Sequence, residues 1–134
     1  MTYLLDTTTF SALMRRAAKA RARIANLGTS DRAVICTITR GEILYGLTRL
    51  PLGKRRQDLE AEAGKLFNEL DCLAVPEAAA DHYATTKSAA ERQGTPLDEN
   101  DLWIAATALS LSAVLVSTDT DFQRVAALKL EDWA

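Results

Sequence analysis

Gly94-Thr-Pro-Leu-Asp-Glu-Asn-Asp-Leu-Trp-Ile-Ala-Ala-Thr-Ala-Leu109 is the stretch whose reading decides the fold. Gly94 and Pro96 are turn residues that stop the preceding element. From Leu102 to Leu109 the chain is apolar and alanine-rich, the composition of a helix buried over most of its surface. Asp98, Glu99 and Asp101 crowd the first turn of that helix. Asp98 reads as the N-cap, accepting a backbone N–H bond. Glu99 reads as a first-turn acid, favoured by the helix dipole and turned to water. Asp101 directly precedes Leu102 and Ile104, so it falls where the helix meets the core. A carboxylate there needs a partner, because an unpaired buried charge is costly. Arg92 is the one basic residue near in sequence; a metal ion or another part of the fold is the alternative.

Working outward, Val114-Leu-Val116 is a short run apolar on both faces, the pattern of a buried parallel strand, and it ends in Ser117-Thr-Asp-Thr-Asp-Phe122. Tyr3-Leu-Leu5 is a similar run ending in Asp6. Ala33-Val-Ile-Cys36 and Cys72-Leu-Ala-Val75 are further strands, the latter stopped by Pro76. Leu128-Lys-Leu130 is a final strand, with Trp133 folding back over an edge. Helical patterns lie between them. Thr8 or Thr9 is placed to cap a helix carrying Phe10, Leu13 and Met14, and a basic helical segment follows from Arg15 to Arg23. Thr39 and Glu42 have capping-box spacing ahead of Ile43, Leu44 and Leu47. After the turn Leu50-Pro-Leu-Gly53, Lys54-Arg-Arg56 opens an amphipathic helix with Leu59, Ala63, Leu66, Phe67 and Leu70 on one face. These two helices are expected to form a hairpin projecting from the sheet. Another helix runs from about Glu77 to Arg92. The alternation of strands and helices is that of an α/β fold with a central parallel sheet, and the length suits a single domain over residues 1–134.

Composition narrows the function. Apolar runs are far shorter than the roughly 20 residues a membrane helix needs, and the N-terminus has no basic region before its apolar residues and an acid at position 6, which is not the pattern of a signal peptide. Cys36 and Cys72 have no CxxC spacing and read as buried free thiols, which points to the cytoplasm. Residues 1–56 carry 11 Lys/Arg and 3 Asp/Glu, a net of +8, while residues 57–134 carry 5 and 15, a net of −10. Such asymmetry fits a polyanionic or basic partner, or a mosaic surface in which the halves intermix. Arg15, Arg16, Lys19, Arg21 and Arg23 are candidates for phosphate contact, or simply a solvated helix face. His82, the one histidine, sits mid-helix away from other polar clusters and reads as structural.

Four acids share a context. Asp6, Glu42 and Asp119 follow strands, and Asp101 opens the helix that feeds the fourth strand. In an open parallel sheet these positions converge at the carboxyl edge, where ligands bind. Helix capping accounts for each alone. Together they repel strongly, and a divalent cation resolves the repulsion. With no histidine or cysteine at metal spacing, zinc and copper are disfavoured, and an all-carboxylate site suits Mg²⁺ or Mn²⁺. Such an ion beside a basic surface points to phosphodiester hydrolysis, one ion generating the attacking hydroxide and a second stabilising the leaving oxygen. No nucleotide-binding glycine loop and no Ser/His/Asp or Cys/His arrangement competes.

Tyr3-Leu-Leu-Asp6, Thr39-x-x-Glu42 with Leu44-Tyr-Gly46, Asp101-Leu-Trp-Ile-Ala-Ala106 and Leu115-Val-Ser-Thr-Asp-Thr-Asp-Phe122 together resemble the PIN domain, and within it the VapC toxin branch of type II toxin–antitoxin systems. The resemblance runs in order along essentially the whole chain. It implies a three-layer α/β/α fold and an Mg²⁺- or Mn²⁺-dependent endoribonuclease. It also implies a cognate VapB antitoxin, a toxin homodimer and a toxin–antitoxin hetero-oligomer. By matching motif, Asp6, Glu42, Asp101 and Asp119 would be the catalytic metal-binding acids, Asp121 an auxiliary acid and Ser117 a bracing residue. Thr8, Cys36 and Ser117-Thr118 depart from the residues common in that family, which bears on substrate preference. The rival expectations are a catalytically silent scaffold that binds protein or RNA, and an Mg²⁺-dependent phosphatase or phosphotransfer domain, for which Lys129 would be the needed lysine.

Overall fold

A computed structural model describes all residues, 1–134. Five strands, β1 (Thr2–Leu5), β2 (Arg32–Cys36), β3 (Asp71–Leu73), β4 (Val114–Val116) and β5 (Lys129–Glu131), form one sheet in the order β3-β2-β1-β4-β5. Every pairing is parallel; Leu4 faces Val34 on one side and Leu115 on the other. From β1 the chain winds outward through β2 to β3. It then crosses back to lay β4 on the other flank of β1. That reversal opens a crevice at the carboxyl ends of β1 and β4, the place where open α/β sheets bind ligands.

The apolar runs are continuous because both faces of the sheet are covered. Alternate residues serve the two layers. Tyr3, Leu5, Ile35, Val114 and Val116 pack beneath α1 (Thr7–Met14), α2 (Ala18–Ala25), α3 (Thr37–Thr48) and α4 (Lys54–Glu69). Leu4, Val34, Cys36 and Leu115 pack against α6 (Glu99–Ser110), whose Ile104, Ala105 and Ala108 are fully covered. Alanine at two of these contact positions, 105 and 108, lets α6 lie close to the sheet, and α5 (Ala79–Arg92) packs on α6 from outside. The fold is thus the α/β class with a central parallel sheet expected from the alternation of elements, in the three-layer α/β/α arrangement that the PIN-domain resemblance implies.

Several local expectations are corrected. Asp6, not Thr8 or Thr9, caps α1, accepting the Thr9 N–H at 3.0 Å. The basic segment is not one helix: α1 ends at Met14, Arg16 takes a left-handed conformation (φ 62°), and α2 starts at Ala18. The Thr39–Glu42 capping box does not form, because α3 begins two residues earlier, at Thr37, and Thr39 is fully buried. The α3–α4 hairpin does not project; the Ala63, Leu66, Phe67 and Leu70 face of α4 closes over the α1 side of the sheet. Cys36 is buried as expected, but Cys72 is exposed, because β3 is an edge strand. Glu99 is exposed in the first turn of α6 as expected, and there it accepts hydrogen bonds from Tyr83 and Lys87. No helix is long and apolar enough to cross a membrane.

Phe10 joins this layer from α1, completely buried and stacked on Phe67 of α4 with ring centroids 5.0 Å apart. Phe10→Ala is expected to cost about 3–5 kcal/mol of folding stability, read from urea denaturation. A loss below about 1 kcal/mol would mean that the cavity collapses and that the α1–α4 contact is not essential.

Candidate active site

Asp6 ends the central strand β1, and its own backbone N–H continues the ladder to the Val116 carbonyl at 3.1 Å. Its side chain is only 3% exposed and receives three donors. The Ser117 hydroxyl donates to Oδ2 at 2.5 Å, and the Thr8 hydroxyl and Thr9 N–H donate to Oδ1 at 2.7 and 3.0 Å. Burial pushes the Asp6 carboxyl above its ordinary value, and these bonds pull the other way. Ser117 in turn accepts the Asp119 N–H at 2.9 Å, so one hydroxyl ties the end of β4 to the end of β1. The Asp119 carboxylate caps the short 3₁₀ turn Thr120–Arg124 through the Asp121 N–H at 2.9 Å.

Glu42 comes from the first half of α3. With the capping box unformed, its carboxylate is free to cross the crevice. Thr7 donates to Oε1 at 2.6 Å and the Asn100 side-chain amide to Oε2 at 3.3 Å. Asp101 sits one residue after Asn100 in the first turn of α6, half-buried, with no hydrogen bond to its carboxylate and no ion pair. Its pKa is pushed from 3.8 to about 6, first by burial and then by Asp119, Asp98, Glu42 and Asp6, in that order. The four predicted acids therefore gather at one edge, and Asp98, retained as a helix cap through the Asn100 N–H, adds to the same field.

None of the four carboxylates lies within salt-bridge distance of a lysine or arginine. As they stand, no three of them are close enough together to ligate one ion. Asp6 and Glu42 use their oxygens on hydroxyl and amide donors instead. The donor set fits an oxygen-seeking divalent cation: it is all carboxylate and hydroxyl, it carries uncompensated negative charge, and Asp101 has no other partner.

The remaining predicted residues divide. Asp121 lies next to the cluster, but its carboxylate pairs with Arg124 at 3.1 Å. Arg15 lines a cleft that also contains Glu42. Arg16 is drawn away to Glu62 at 3.2 Å. Arg23 lies over the Tyr3 and Trp133 rings and pairs with Glu131 at 3.2 Å, so its charge is already matched. Arg21 lines a larger groove, about 480 Å³, between α1–α2 and α4, which holds none of the four acids. Lys19 is exposed on α2. Lys129 starts β5 in register with Val114, at the amino edge of the sheet and opposite the acids, which removes the lysine a phosphotransfer site would need. Thr7 and Asn100 were not legible as site residues. The faint signals were the Thr7-Thr-Thr9 run after a strand-end acid and the polar residue just before Asp101.

The family model for the PIN domain matches residues 3–128. The chain is 35% identical to ribonuclease VapC1 of Haemophilus influenzae over 99% of its own length and 98% of that protein's. It is 30% identical to the tRNA(fMet)-specific endonuclease VapC of Shigella flexneri, with 98% of each chain covered. Among solved structures, VapBC-1 of nontypeable Haemophilus influenzae superposes with a TM-score of 0.86 at 34% identity, covering 99% of this chain and 98% of that one.

The raised Asp101 value sets the sign of a pH effect. The neutral carboxyl favours the fold, an advantage fully present below 3.8 and lost as pH rises through about 6. In metal-free buffer, Asp101→Asn is expected to melt about 2–4 °C above the unsubstituted protein at pH 8, with the gap closing by pH 4. Thermal melts of the two proteins across that range decide it. An equal gap at both ends would mean that charge is not the cause.

Proposed function

Given that this chain belongs to the PIN-domain family, we propose that it is the toxin of a type II toxin–antitoxin pair, an endoribonuclease that hydrolyses RNA phosphodiester bonds with a divalent cation, Mg²⁺ or Mn²⁺. The observation that carries the reading is the convergence of Asp6, Glu42, Asp101 and Asp119 on one sheet edge with no basic side chain to neutralise them. Its nearly full-length relatives are named as ribonucleases, one of them specific for tRNA(fMet), so tRNA is the first substrate to test.

The four acids would hold the cation, which when bound supplies a Lewis acid and lowers the pKa of water at neutral pH. Asp6 presents a fixed charge, because three donors lock its rotamer. Ser117, which holds both Asp6 and the Asp119 backbone, and Thr7 and Asn100, which hold Glu42, orient those ligands from behind. Asp101 is the acid left without a hydrogen bond, so it is the one whose charge a cation would compensate. Since a ligand must be deprotonated, cation affinity should weaken as pH falls through about 6. A partner protein of the VapB type has apolar surface to use: Leu44, Tyr45 and Leu52 are exposed on α3 and the turn after it. That surface serves either the antitoxin or a second copy of the toxin, acting in the cytoplasm.

The test is cleavage of total cellular RNA and of tRNA by the purified, antitoxin-free protein with Mg²⁺, with Mn²⁺ and with EDTA. Discrete, metal-dependent fragments are expected. Ser117→Ala should lower the rate about 10–100-fold, and Asp6→Asn and Asp101→Asn should lower it further. Intact RNA from a folded protein, or cleavage that survives all three substitutions, would refute the reading.

A further inference from the structure

The arginines of this chain are nearly all accounted for. Arg16, Arg23, Arg32, Arg56 and Arg124 are held by carboxylates, Arg40 and Arg49 lie over aromatic rings, and Arg92 bonds Ser88. Arg15, Arg21 and Arg55 alone have no side-chain partner, and two of these three open into one cleft. That cleft, about 300 Å³ between α1, α3 and α4, is lined by Thr7, Ser11, Arg15, Glu42 and Arg55. Arg15 follows the last turn of α1 and Arg55 lies in the first turn of α4; both are exposed. Glu42 and Thr7 form the cleft's inner end, where Thr7 donates to Glu42 at 2.6 Å.

The charge pattern has a direction. Glu42, which pairs with no cation, lies at the inner end; Arg15 and Arg55 lie at the outer end, where the neighbouring acid Asp58 is already taken by Lys54 at 3.6 Å. From Thr7 to Arg15 the helix rises about 12 Å, which sets the arginines a phosphate or two away from the acid cluster along an extended strand. Guanidinium groups free of carboxylates match phosphate oxygens in both charge and geometry. We propose that Arg15 and Arg55 form a phosphate subsite that grips the RNA backbone next to the bond being cut and so places the scissile phosphate against the acids. This rests on the nuclease reading above. It assigns strand positioning to a pair that are far apart in sequence, and it leaves the other basic residues of the Arg15–Arg23 segment out of the site. An acidic protein segment is the competing occupant. RNA is favoured because the cleft leads to Glu42, one of the clustered carboxylates, which would repel such a segment and accept a backbone only where a cation bridges them.

The experiment compares the unsubstituted protein with Arg15→Ala, Arg55→Ala, the double variant and Arg21→Ala, all checked for unchanged melting temperature. Steady-state cleavage should show KM raised about tenfold for each of the first two, with kcat nearly unchanged. Binding of a single-stranded oligoribonucleotide in EDTA, followed by anisotropy, should lose about 0.7 from the slope of log affinity against log salt for each arginine removed. Arg21→Ala should match the unsubstituted protein in both. Replacing one phosphate beside the cleavage point with a neutral methylphosphonate should abolish the difference between the double variant and the unsubstituted protein. Unchanged KM and slope in the double variant, or an equal effect from Arg21→Ala, would overturn the subsite, as would loss of antitoxin binding alone. If the protein cuts no RNA at all, the nuclease reading fails. The salt slope in EDTA then still decides whether Arg15 and Arg55 hold a phosphate chain.

Discussion

Asp6 carries a carboxylate almost wholly withdrawn from water at the end of the central strand. A buried carboxylate without donors would shift its pKa and lose its charge. Here Ser117, Thr8 and Thr9 meet it, and they come from two separate parts of the fold. Thr9 and Thr8 come from the helix that Asp6 itself caps. Ser117 comes from the end of β4, which is adjacent only because the chain doubles back past β1. The crossover, the cap and the site are therefore one construction: moving β4 by one residue would remove Ser117 from Asp6 and Asp119 from the crevice together.

A second consequence concerns charge. The site collects acids on purpose-built supports and offers them no basic side chain, so the metal-free protein holds like charges close together. Asp101 bears the strain, with its pKa near 6. The supports differ in stiffness. Asp6 and Glu42 are each held by two or more donors, whereas Asp101 is tied only by the helix that carries it. A site with fixed walls and one free ligand can adjust to an ion without rearranging the core. The unpaired Arg15 and Arg55 line the cleft that Glu42 also lines, and form no salt bridge with the acids.

The apolar surface follows the same division. Both faces of the sheet are closed by helices, and apart from Met1 the large apolar residues left outside lie on α3 and the turn that follows it. The helix that supplies Glu42 to the crevice thus presents Leu44 and Tyr45 to solvent on its other side. A partner seated there would touch the element that carries one of the acids.

How far the sequence spoke depended on range. The continuous apolar runs Tyr3–Leu5, Ile35 with its neighbours, and Val114–Val116 identified buried parallel strands, because only a sheet covered on both faces tolerates them. The strand-end acids pointed to the candidate edge, since parallel strands put their carboxyl ends together, and the structure gathers them there. Those features are local or follow from the class of fold. The errors were also local in form but tertiary in cause. The Thr39–Glu42 spacing is that of a capping box, yet Thr39 is needed in the core, and Glu42 spans 35 residues to Thr7 and 58 to Asn100. Arg16 and Arg23 read as free charges until Glu62, Glu131 and two aromatic rings arrive from distant segments. The sequence by itself determined the residue types, the strand runs and the acids, because periodicity and propensity act over a few residues. Only the tertiary structure decided which donor holds which acid and which arginines remain free, because a hydrogen bond or ion pair depends on a few ångströms of separation that chain distance does not encode.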